Sequence, residues 1–144
     1  MHTSDGWTEK LAKLRKGTNE NAMKKAKTLP KLKAELQMIF NAYIRERDKD
    51  KPCISCGQFK ALQAGHFYTV KQYDGLRFNE DNVHGECAYC NLFDGMHLLN
   101  YAANLKERIG EQRCAELENR ANLYKKDGYK WTRSELMELI KKYK

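Results

Sequence analysis

Cys53-Ile-Ser-Cys56 and Cys87-Ala-Tyr-Cys90-Asn91 are the stretches that decide the fold, and a lone Gly65-His66 stands between them. Two C-x-x-C pairs supply four thiolates in the spacing that suits a closed, tetrahedral structural Zn²⁺. A closed site leaves the ion no open position, so Cys53, Cys56, Cys87 and Cys90 are expected to hold the chain while the enclosed segment carries other chemistry. Cys56-Gly57 provides the tight turn that lets two thiolates converge on one metal.

Outward from the first pair, Leu32, Leu36, Ile39, Phe40, Tyr43 and Ile44 recur at helical spacing behind Pro30, which predicts a helix over 30–48. Between the pairs, Leu62, Phe67 and Val70 around His66 predict a short strand or hairpin, with Tyr73-Asp74-Gly75 as a turn before Leu76 and Phe78. Beyond the second pair, Leu92, Met96, Leu99 and Leu105 predict a helix from 91 to about 108, broken at Ile109-Gly110. Residues 111–126 resume with Cys114, Leu117, Ala121 and Tyr124 until Gly128. Thr132-Arg-Ser-Glu135 has the form of a capping box for a last helix bearing Leu136, Leu139, Ile140 and Tyr143. The fold class is α+β, with a domain over 30–144, its core at 51–108 and a helical region at 111–144.

Residues 1–29 are polar, Lys-rich and poor in large apolar groups, and read as a flexible basic arm. Residues 1–33 hold nine Lys/Arg against three Asp/Glu, most of the net charge of +8. A basic arm on a nearly balanced domain suits non-specific phosphate contact, with Lys24, Lys25, Lys27 and Arg77 as candidate DNA contacts. No stretch approaches the roughly 20 apolar residues of a membrane span, and no signal-peptide core is present, so a soluble, cytoplasmic protein is expected. Four of five cysteines in metal-type pairs argue for a reducing compartment. Cys114 reads as a small core residue.

Phosphodiester hydrolysis needs a base to activate water and a divalent metal to neutralise charge on the phosphate and leaving oxygen. His66 is the candidate base. The carboxamide oxygen of Asn91 is a hard donor suited to Mg²⁺ or Mn²⁺, although an asparagine there also serves as a helix N-cap. Asp94 returns to nearly the same helical face and adds a carboxylate, or simply a favourable charge near a helix N-terminus. Asn82 is a candidate for pinning the loop that carries the base, or a plain turn residue. His84 and His97 stay open between phosphate or water contact and structural roles.

These residues resemble the HNH, or His-Me finger, nucleases with a ββα-metal core. More closely, Pro52-Cys-Ile-Ser-Cys-Gly57, Ala64-Gly-His-Phe67, Leu76-Arg-Phe-Asn-Glu-Asp-Asn-Val-His84 and Cys87-Ala-Tyr-Cys-Asn91 resemble the NinG/Rap recombination proteins of lambdoid phages. The run Cys90-Asn-Leu-Phe-Asp-Gly95 is similar to the helix start of phage T4 endonuclease VII. The resemblance implies a small zinc-stapled ββα-metal core flanked by helices. It further implies a structure-specific endonuclease cutting Holliday junctions and D-loops, with His66, Asn82, Asn91 and Asp94 at the site and catalytic Mg²⁺ or Mn²⁺. Gln63-Ala-Gly-His66 departs from the Asp-x-Gly-His of non-specific nucleases by a Gln in the acidic position, which implies a weaker hold on the ion. An additional cysteine-rich segment near the N-terminus, frequent in the family, is absent from this sequence.

The near two-fold symmetry of a four-way junction leads to an expected homodimer, and a recombination protein of host or phage is a further expected partner. Two rivals remain: a non-catalytic zinc-stabilised module binding nucleic acid or a recombination partner, and a generic HNH nicking endonuclease.

Overall fold

The computed structural model describes residues 26–93, 95 and 97–144. Helix α1 (Leu29–Arg47) starts at Thr28, whose hydroxyl accepts from the Lys31 N–H, and Pro30 occupies the first turn, where a missing N–H is harmless. Leu32, Leu36, Phe40 and Ile44, spaced four apart, form its buried stripe. Its C-terminus is tied down by Asp48, a fully buried carboxylate that accepts from Arg47 and from the Gly85 N–H at 2.8 Å. Burial pushes the Asp48 pKa up, but the hydrogen bonds from Arg47 and Gly85, with the guanidinium charge, outweigh it and hold it at about 2.

Strands β1 (Leu62–His66) and β2 (Val83–Cys87) form an antiparallel hairpin in which Leu62 faces Cys87, Gln63 Glu86, Ala64 Gly85, Gly65 His84, and His66 Val83. A 3₁₀ turn at Asp74–Leu76 lies in the long connection between them. The hairpin sits between two cores. In one, Ala64, Phe78 and Val83 pack with the α1 stripe and with Leu136 of helix α5 (Arg133–Tyr143). In the other, Ile54 and Leu76 pack with Tyr101 and Leu105 of α3 (His97–Ile109) and Leu117 and Ala121 of α4 (Glu111–Asp127). Cys114 is half-buried against this second core. Helix α5 begins with a reciprocal cap, the Thr132 hydroxyl accepting from Glu135 N–H and the Glu135 carboxylate from Thr132 N–H.

Two sequence expectations are corrected. The strand or hairpin expected around His66 is a single strand, β1, whose partner does not follow the Tyr73-Asp74-Gly75 turn: Leu76 closes the 3₁₀ turn and Phe78 enters the α1 core edge-on to Phe40. That partner lies at Val83–Cys87, buried on both faces between the two cores, so it lacks the alternation that marks a half-buried strand. The single helix expected over 91–108 is instead α2 (Ala88–Leu92) followed by α3 from His97. Helix α2 begins inside the second cysteine pair because Cys90 must turn back towards the other thiols. Among the described residues no helix is long and apolar enough to cross a membrane.

Candidate metal centre and active site

The Sγ atoms of Cys53, Cys56, Cys87 and Cys90 all lie within 4.8 Å of one another, and three of the four cysteines are buried. Gly57, with φ 73°, completes the first knuckle by donating its N–H to Cys53 O at 2.9 Å. Cys56 Sγ and Cys87 Sγ are 3.8 Å apart, which matches the edge of a tetrahedron with Zn–S bonds of about 2.3 Å. The N–H groups of Cys56 and Cys87 point at Cys53 Sγ at 3.4 and 3.3 Å, as they would at a thiolate. Four close sulfurs with backbone donors fit a structural metal such as zinc.

The hairpin links this knuckle to His66. Leu62, opposite Cys87, packs on the cysteines, and His66 ends the same strand. The imidazole Nε2 lies 3.0 Å from Arg77 O. A carbonyl only accepts, so Nε2 carries the proton and Nδ1 keeps its lone pair. Burial lowers the His66 pKa and outweighs the hydrogen bond to Arg77 O, so the ring is neutral near pH 7.

Asn82 is fully buried and holds the loop that follows His66. Its Oδ1 accepts from Tyr68 N–H at 2.8 Å, and its Nδ2 donates to Tyr68 O and Leu76 O at 3.0 and 3.1 Å. Its backbone carbonyl takes the Phe67 N–H at 2.9 Å. Asn91, in α2, donates from Nδ2 to Gln63 Oε1 at 2.9 Å, which brings a second carboxamide to the candidate ion ligand. Gln63 lies three residues before His66, so the two side chains leave opposite faces of β1, and the strand backbone connects the amide pair with the candidate base. Asp94, Lys24 and Lys25 lie outside the described residues.

Arg77 does not offer a free guanidinium to DNA. Its Nε donates to Gln37 and its Nη1 to Asp74, both at 2.9 Å, so its position at the site comes from the backbone carbonyl instead. Lys27 is exposed and paired with Glu35. His84 is buried beside Tyr101, with Tyr101 Oη 3.4 Å from its Nδ1. Burial, reinforced by the Arg47 charge, drives its pKa down to about 3, which makes it a neutral core histidine rather than a phosphate contact. His97 turns its Nδ1 to Glu86, 2.8 Å away.

Sequence reasoning missed Glu86. It has no exposed surface, accepts from Ser55 Oγ and His97, and lies directly opposite Gln63 in the hairpin. The signal was its place immediately before Cys87, but its partner could be named only once the register was known.

Residues 5–144 match the family described as Bacteriophage Lambda NinG protein. The chain is 39% identical over 111 residues to Protein ninG of Escherichia phage lambda, covering 76% of this chain and 52% of the relative. Protein ninG of Salmonella phage P22 is 44% identical over 87 residues, 59% of this chain and 43% of the relative. Protein ninG of Escherichia phage 933W is 39% identical over 111 residues, 76% of this chain and 53% of the relative. The chain thus spans about half the length of these curated relatives. No solved structure matches it. With a family match over nearly its whole length, on a two-stranded hairpin closed by four clustered cysteines, the chain belongs to the NinG family of bacteriophage proteins.

Proposed function

We propose that the chain is a structure-specific DNA endonuclease of the HNH type, cutting branched recombination intermediates such as Holliday junctions and D-loops by divalent-metal-assisted hydrolysis. The observation that carries this reading is the His66 ring, held through Nε2 by Arg77 O with Nδ1 left as the basic nitrogen. Gln63 and Asn91 offer carboxamide oxygens on the other face of the same strand and would hold Mg²⁺ or Mn²⁺ there, within reach of the His66 side only past the strand end. Asp94 would add a carboxylate from the segment between α2 and α3. When bound, the ion supplies charge neutralisation at the scissile phosphate and leaving oxygen. Asn82 keeps the loop after His66 in place, so the base is oriented from both sides of its strand end.

Lysines of the basic N-terminal segment, Lys24, Lys25 and Lys27 among them, bind phosphates, and raised salt weakens binding steeply. A homodimer would deliver two cuts to a near-symmetric junction. Exposed Leu92 and Phe93 at the end of α2, with Leu98 and Leu99 of α3, give apolar surface for such a contact. Light scattering of the protein on a junction that reported a single copy would remove the dimer.

The test incubates the protein and His66→Ala with a labelled four-way junction and the matching linear duplex, in Mg²⁺, Mn²⁺ or EDTA. Metal-dependent cutting of the junction, lost in the variant, is the expected result. Equal cutting of linear duplex would leave a generic nicking enzyme. Binding without cutting would favour the zinc-stabilised binding module, a reading to which the neutral Gln63 lends some weight because amides hold a hard cation less firmly than carboxylates do.

A further inference from the structure

Gln63 and Glu86 are direct partners in the antiparallel ladder, so their side chains leave the same face of the hairpin. Gln63 is already engaged with Asn91. Glu86 is fully buried, and its two oxygens are treated differently. Oε2 accepts from Ser55 Oγ and from His97 Nδ1 at 2.8 Å. Oε1 has no hydrogen-bond partner. A buried carboxylate oxygen without a donor is destabilising and rare, and such an atom calls for a ligand.

The surroundings of Oε1 point the same way. Gly65 stands between Gln63 and His66, and a Cβ there would fall 2.8 Å from Glu86 Cβ and closer still to Oε1. The carboxylate therefore occupies the space that a side chain at position 65 would fill, over the backbone that joins the amide pair to the candidate base. Its other oxygen, Oε2, is fixed by two donors from separate elements, Ser55 of the first knuckle and His97 of α3, as metal-binding carboxylates generally are by their neighbours. Two neutral amides alone make a weak site for a hard divalent cation, whereas one carboxylate among them makes a serviceable one.

The geometry points to Glu86 as the carboxylate ligand of a divalent-cation site shared with Gln63 and Asn91, with Ser55 and His97 as its positioning residues. This inference rests on the nuclease reading above and gives the ion its one anionic protein ligand on the hairpin itself.

The test measures Mn²⁺ binding to the full, zinc-loaded chain by electron paramagnetic resonance, with circular dichroism to verify the fold. Glu86→Gln should weaken Mn²⁺ binding by about tenfold or more. The double variant Gln63→Asp/Glu86→Gln, which moves the carboxylate across the ladder, should recover most of that loss. A wild-type chain that binds Mn²⁺ and cuts the junction, with Glu86→Gln binding equally well, would overturn this inference and leave the nuclease standing. A wild-type chain that neither binds Mn²⁺ nor cuts would overturn both. Should Glu86→Gln fail to fold, substoichiometric Mn²⁺ added to the ¹⁵N-labelled wild type decides the matter. Line broadening centred on the amides of Gly65 and Glu86 is expected, and broadening centred elsewhere overturns the assignment.

Discussion

The ring nitrogen Nε2 of His66 lies 3.0 Å from the carbonyl oxygen of Arg77, so a residue whose own side chain is turned towards Gln37 and Asp74 fixes the tautomer of the candidate base. Because burial lowers the His66 pKa below its ordinary value near 6.5, the basic form persists as pH falls through neutrality. Junction cutting should be flat from pH 8 to 7 and decline only at a pH below 6.5. His66→Ala should lower kcat by roughly 10²- to 10⁴-fold with DNA affinity little changed. A pH–rate profile whose limb lies above 7 would contradict this tautomer and its environment.

Asp48 links pH to stability. Its folded pKa of about 2 is below its ordinary 3.8, so its contribution is complete above pH 4 and is lost as pH falls through the folded value. His84 acts over a higher window: held neutral with a pKa near 3, it must stay unprotonated in the fold while the unfolded chain takes up a proton below 6.5. Denaturant midpoints should therefore fall in two stages on acidification, first below pH 6.5 and then below 4. His84→Gln should shrink the first stage, leaving the smaller part due to His66, whose pKa burial also lowers, and Asp48→Asn should destabilise the protein by roughly 3–5 kcal/mol at pH 7, since it leaves the half-buried Arg47 short of its carboxylate.

Asn82→Ala would leave Tyr68 N–H and two carbonyls without their side-chain partner. A loss of about 2 kcal/mol or more is expected by chemical denaturation, with faster amide hydrogen exchange at Phe67 and Tyr68 than elsewhere in the hairpin. Uniform exchange along the chain would mean that Asn82 does not hold that loop.

Stripping the metal from the four cysteines should cost the cooperative transition, not only some melting temperature. The knuckle, both strands and α2 converge on these sulfurs, and structural zinc contributes folding free energy directly. Calorimetry with a strong chelator should show a lost or broadened transition that zinc restores and Mg²⁺ does not. Cys53→Ser should act similarly, because Cys53 Sγ also receives two backbone N–H groups.

Gly65→Ala introduces a methyl group where the Glu86 side chain lies. The backbone at Gly65 does not require glycine, so the effect is steric. Destabilisation of roughly 1–3 kcal/mol is expected. A variant as stable as the parent would mean that the Glu86 side chain is free to leave its seat.

What could be read from the sequence was what local rules govern. The α1 stripe of Leu32, Leu36, Phe40 and Ile44 follows from spacing, the Thr132–Glu135 cap from a four-residue signature, and the cysteine cluster from its paired spacing. Strand β2 was missed because Val83-His-Gly-Glu-Cys87 is covered on both faces and carries two polar side chains that only the fold can satisfy, His84 against Tyr101 and Glu86 against Ser55 and His97. The break between α2 and α3 carries no proline, and its turn dipeptide Asp94-Gly95 stands inside a run of apolar residues with helical spacing. The Gln63–Asn91 amide pair and the Gln63–Glu86 cross-strand pair depend on register, which is a property of two segments at once.

Cys87 is at once a member of the thiol cluster and the last rung of the ladder, opposite Leu62. An ion captured by the cysteines would thus act as a reading frame, fixing which residue of β1 meets which residue of β2. A slip of one residue would turn Gln63 and His66 each to the opposite face of the hairpin. A chain synthesised where that ion is scarce would then be not a slower protein but an unassembled one, and supply of a trace element would decide whether the site exists at all.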